Sequence, residues 1–132
     1  MLNSPLVRSA LAGVAGFLAY GSWAIYANWD HGQDIALRSG VVQGSYSFAL
    51  TLVMTLVTEW LFEMLKNLTF GILILMFSVC SVLFATAYGI NYLAGTPEII
   101  MTIFPGWVIG SIYTGVYVGG LARAKIPRVT ND

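Results

Sequence analysis

Apolar residues run along this chain in long blocks, separated by short polar interruptions, on the scale of a membrane span rather than of a surface helix. A bilayer core of about 30 Å is crossed by roughly 20 apolar residues in a helix. Four blocks reach that length, at about 6–28, 41–65, 68–93 and 97–122. The first follows "NSP", where Ser4 can cap and Pro5 can take the first helical position. The fourth opens with "GTPE", where Thr96 can cap, Pro97 can start the helix and Glu98 suits its positive end. The pattern predicts an all-α integral membrane protein with four transmembrane helices, a single domain over residues 1–132.

Two departures from uniform apolarity stand out. On the second span, Gly40, Gln43, Gly44, Ser47, Thr51, Thr55 and Thr58 share one sector of the helix, with Met54 the one large apolar side chain among them. Such a seam of small and hydroxylated residues faces protein or water, because it allows close helix approach and bonds across helices. It is either a packing seam or one wall of a substrate path. The fourth span offers a counterpart in Gly106, Gly110 and Thr114, followed by Gly115 and Gly119; Ala12 and Gly16 repeat the spacing on the first. The second departure is "TIFPGW". Pro105 lacks the N–H that would meet the carbonyl of Met101, and its ring crowds that carbonyl. The fourth helix is therefore predicted to be kinked or broken at Pro105-Gly106, and such breaks supply backbone groups to ligands in some transporters.

Charge sets the orientation. The chain is 58% hydrophobic and only 9% charged, with six basic and six acidic residues. No basic run supports nucleic-acid binding. If four spans are crossed, Arg8, Lys66, Arg123, Lys125 and Arg128 share one side and Arg38 stands alone on the other. That asymmetry predicts both termini in the cytoplasm, an N-in/C-in protein of a bacterial inner membrane. Trp23, Tyr26, Trp29, Tyr88 and Tyr92 then form an outer aromatic belt, with Trp60 and Phe62 at an inner boundary. Arg8 before an apolar stretch has the look of a secretory signal, but that stretch is too long and "AIYANW" is a poor cleavage site, so a retained span is expected.

The polar stretch "DHGQDIALRSG" holds Asp30, the lone histidine His31, Asp34 and Arg38. His31, Asp34 and Glu98 do not form a metal motif of recognised spacing, and Cys80 is the only cysteine, so no metal or other cofactor is expected. No nucleophile, base and acid can be drawn together, so the chain is not expected to be an enzyme. Arg38 either pairs with Asp34 on one helical face or holds an anionic headgroup. A substrate site built from Arg38, Gln43, Asn91, Pro105 and Gly106 is the candidate. The first span carries no acid after Arg8, which argues against proton-coupled antiport. Two functions remain: a transporter- or flippase-like protein handling an amphipathic, anionic lipid-type substrate, or a non-catalytic accessory subunit packed on a larger membrane enzyme or transporter. A four-helix interior is small, so either implies self-association or a membrane-protein partner besides the lipid bilayer.

Overall fold

The computed structural model describes residues 4–65 and 67–125, without the side chains of Pro5, Thr55, Glu59 and Leu68. The seam's Thr55 side chain, Lys66 and Arg128 thus lie outside the described residues. Helices α1 (Pro5–Ala27), α2 (Gln33–Glu63), α3 (Leu68–Leu93) and α4 (Ile99–Lys125) follow in order, with a 3₁₀ turn at Trp29–His31 and no strand among the described residues. Helices α1, α3 and α4 are each long and apolar enough to cross a membrane. Helix α2 meets that standard as a bent pair, Gln33–Met54 and Leu56–Glu63, set at 42°. This is the make-up of a multi-pass membrane protein.

The helices alternate in direction. The α1–α2 and α3–α4 connections meet at one end, where His31 Nε2 lies 3.0 Å from Glu98 Oε1. At the other end the Lys125 ammonium sits 4.8 Å over the Phe62 ring. These are called here the connection end and the terminal end.

Helix α2 begins well before the Val41 expected from hydropathy. Gly32 takes φ 104°, a conformation that strains any side chain, and the helix starts directly after it. Asp34 then stands in the first turn, where the free N–H groups favour a negative charge. Ala36, Ser39 and Gly40 are buried. The polar stretch is mostly a packed helical turn, and only Asn28–Gly32 connects.

Within hydrocarbon, apolar side chains gain little by leaving lipid, so close fit and polar bonds decide which helices pair. Helices α1 and α2 pair through glycines. A Cβ on Gly21 would stand 3.0 Å from the Gly40 carbonyl oxygen, and one on Gly44 3.0 Å from the Phe17 carbonyl oxygen. Gly40 and Gly44 are thus the packing part of the seam. Helices α3 and α4 pair through Trp107, whose Nε1 donates to the Cys80 carbonyl at 3.0 Å, and through Gly110, which a Cβ would bring to 3.7 Å from Leu83. Thr114 is buried and returns its hydroxyl to the Gly110 carbonyl at 2.8 Å. Toward the terminal end, Phe62, Leu75, Val79, Leu83 and Val118 form an apolar cluster, and Thr58 of the seam is buried too. Phe62, expected at an inner boundary, is buried in this core at the end of the bundle.

Helix α4 runs unbroken through Pro105-Gly106, so of the kink or break expected there the break does not form. The sharp bend lies in α2, between Met54 and Leu56. The reason is a donor from another helix: Trp23 Nε1 donates to the Met101 carbonyl at 2.7 Å. That is the carbonyl Pro105 leaves without a partner. With it satisfied, the helix has no need to open.

Candidate functional site

Two buried polar clusters tie the helices together at the connection end. Asn28 is fully buried at the end of α1. Its Nδ2 donates to the Ala24 carbonyl at 2.8 Å and to Thr102 Oγ1 at 2.7 Å, and its Oδ1 accepts from the Glu98 backbone N–H at 2.9 Å. Glu98 directly precedes α4, so a side chain of α1 supplies the cap. Thr96, expected in that role, is engaged elsewhere. Its hydroxyl donates to Asn91 Oδ1 at 3.0 Å and lies 3.4 Å from Ser39 Oγ. Ser4 likewise precedes α1 without making a side-chain cap bond.

The second cluster continues inward. Asn91 Nδ2 donates to the Ala87 carbonyl at 3.0 Å and to Gln43 Oε1 at 2.8 Å. Asn91 and Gln43 are 0% and 2% exposed. Buried amides of this kind are costly unless bonded, and here they bridge α2, α3 and the loop before α4.

Below this cluster a cleft of about 390 Å³ separates the α1–α2 pair from the α3–α4 pair. That falls in the usual range for small-molecule sites, roughly 300–1,000 Å³. Its floor is buried: Gln43 and Ser47 from α2, Leu83 and Ala87 from α3, Ile103 from α4. Its rims are exposed: Ala12, Ala15 and Ala19 on α1, Ile109 and Tyr113 on α4. The cleft therefore opens sideways, between α1 and α4. Thr51, Gly106 and Gly110 also line it, so the seam divides by depth, with glycines against α1 and Gln43, Ser47 and Thr51 along the cleft. Ser47 and Thr51 donate to the carbonyls of Gln43 and Ser47, each at 2.8 Å, which leaves the hydroxyl oxygens as acceptors.

Of the five expected substrate residues, Gln43, Asn91 and Gly106 come together here; Gln43 and Gly106 line the cleft and Asn91 supports Gln43 from behind. Pro105 is half-buried beside Gly106 and is not part of the lining. Arg38 is elsewhere. It is exposed at the connection end, and a Cβ on Gly95 would stand 3.5 Å from its guanidinium. Nor does it pair with Asp34: among the described residues the ion pair is His31 with Glu98. No charged side chain lines the cleft, and no group of three His, Cys, Asp or Glu side chains stands together among the described residues.

Sequence reasoning did not single out Tyr20, Tyr46 and Trp107, which line the cleft. Each reads as an ordinary span aromatic. Only the four-residue recurrence of Ala12, Gly16 and Tyr20 hinted that this face of α1 turns inward. No protein-family model, curated protein or solved structure matches the chain, so a functional reading rests on the cleft and the polar clusters themselves.

Proposed function

We propose that this chain crosses the bacterial inner membrane four times, with both termini inside, and handles an amphipathic lipid-type substrate through the sideways-opening cleft, as a transporter or flippase does. The observation that carries this reading is the position of the opening. A cleft whose exposed rims belong to membrane-length helices is reached from lipid, and its apolar walls suit a chain rather than a soluble metabolite. The basic asymmetry supports the orientation, and the bent pair in α2 supplies the fourth crossing. The oligomeric state, or a membrane-protein partner, is part of the proposal because a cleft open to lipid on one side is not a closed path.

The test is purification in mild detergent followed by native mass spectrometry. The expected result is a stoichiometric lipid adduct that is lost in Ala15→Trp or Ala19→Trp, which fill the cleft from exposed positions. A stoichiometric protein partner with no bound lipid overturns the reading in favour of an accessory subunit.

A further inference from the structure

We infer that the cleft selects a lipid-type substrate by an uncharged oxygen acceptor, an ester, amide or ether oxygen, which Gln43 Nε2 holds. This rests on the proposal that the cleft takes such a substrate, and adds its chemical class. The first step is the orientation of the Gln43 amide. The Ala87 carbonyl can only accept, so the Asn91 atom 3.0 Å from it is the nitrogen Nδ2. Thr96 donates to the other Asn91 atom, Oδ1, at 3.0 Å. That same Nδ2 is 2.8 Å from Gln43, so Gln43 presents its oxygen there and turns its nitrogen away.

Gln43 is 2% exposed, yet Nε2 has no hydrogen-bond partner among the described residues. It faces the cleft beside Gly106, where a Cβ would stand 3.7 Å from it and 3.6 Å from the Tyr20 ring. An amide donor that opens on a lipid-reached cleft without an acceptor is costly, so its place in the fold calls for a ligand atom. Of the other donors on the cleft's walls, Ser47 and Thr51 are committed to α2 carbonyls, Tyr46 is engaged with Leu83 and Thr86, and Trp107 with Cys80, while Tyr20 and Tyr113 bring further neutral hydroxyls to the lining. With no cation lining the cleft, a phosphate would be buried unpaired, whereas a carbonyl or ether oxygen accepts from the Gln43 amide without bringing a charge.

The experiment uses three photoactivatable probes in dodecyl maltoside: a diazirine diacylglycerol, a phosphatidate with the same chains, and a diazirine alkane. Labelled residues are mapped by peptide mass spectrometry. The expected result is stronger labelling of cleft residues by diacylglycerol than by phosphatidate. Gln43→Met should lower diacylglycerol labelling about fivefold, the worth of one hydrogen bond, and leave the alkane unchanged. Because Gln43→Met also removes the acceptor for Asn91, Gly106→Val is the second variant. It keeps the Gln43–Asn91 bond, obstructs the approach to Nε2, and should lower diacylglycerol labelling more than alkane labelling. Equal losses of both probes, or preference for phosphatidate, overturn the inference while the lipid cleft stands. If no probe labels the cleft of the native chain, the lipid cleft itself falls, and the inference with it.

Discussion

Replacing Trp23 by Phe removes one N–H and keeps an aromatic ring, which tests whether α1 supplies what Pro105 takes away. The indole N–H meets the Met101 carbonyl at 2.7 Å, a short and strong bond. A proline in a helix interior costs about 3 kcal/mol, partly through the unmet carbonyl and partly through ring crowding. Only the first part can be recovered by Trp23. Interhelical hydrogen bonds in membrane bundles are worth about 0.6 kcal/mol on average and about 1.7 at most. Trp23→Phe should therefore destabilise by about 1–2 kcal/mol, including a little lost packing. Pro105→Ala restores a backbone N–H within α4, so the same Trp23→Phe change should cost about 1 kcal/mol less in that background. Pro105→Ala alone should stabilise, by less than the full 3 kcal/mol or so of a helix proline, since Trp23 already offsets part. The assay is reversible unfolding in mixed dodecyl maltoside and SDS micelles, followed by far-UV circular dichroism for all four members of the cycle. Equal costs of Trp23→Phe in both backgrounds would refute the reasoning, for then the indole does no more than pack.

Glycine contacts give a second test: Gly44→Ala and Gly21→Ala should each destabilise by about 1–3 kcal/mol in the same assay, since an added Cβ meets backbone at 3.0 Å. Gly89→Ala and Gly120→Ala, with nothing within 4 Å, should be neutral or stabilising by up to about 1 kcal/mol. For the polar cluster around Asn28, Asn28→Leu should cost about 2–3 kcal/mol because it takes the amide partner from the buried Thr102 hydroxyl and from the Glu98 N–H. Glu98→Gln, which removes the charge of an exposed pair, should change thermal stability by no more than about 1 kcal/mol. Single cysteines at Gln33 and Pro97 in a Cys80→Ser background should react with an impermeant maleimide in intact cells, and those at Met64 and Ala124 only after permeabilisation. The opposite pattern would reverse the proposed orientation.

Hydropathy made the helices legible because a membrane span writes its length directly into composition. It misplaced the start of α2 because Asp34 and Arg38 read as a connector, although Ala36 and Ser39 between them are buried. The α2 seam was visible as a face, and its division into a packing half and a cleft half was not. Gly44 and Ser47 are alike in size, and only their surroundings distinguish them: Gly44 is pressed against Phe17, whereas Ser47 is buried at the floor of the cleft near Gly16. Asn91 was noticed as a polar residue near the outer face, but the bond to Gln43 joins positions far apart in sequence and leaves no local trace. Trp23 shows the same limit. Its place near a span end matches an interfacial belt, and nothing in "GSWAIY" points to a carbonyl on α4. Arg38 was grouped with Gln43 because they stand five residues apart on one helix, yet it is exposed beside Gly95 and away from the cleft.

The contrast between the two ends of the bundle has a mechanical consequence. At the connection end, Asn28, Asn91, Gln43 and Thr96 join the helices by bonds that hold only at particular distances and angles. Sliding or rotating a helix there breaks them as surely as pulling it away. At the terminal end, Phe62, Leu75, Val79 and Val118 touch through surfaces with no preferred direction. Such contacts resist separation yet accept small shifts of one side chain past another. The bundle is therefore stiff to shear at one end and compliant at the other, like a clasped fan, and the α2 bend between Met54 and Leu56 lies toward its compliant half.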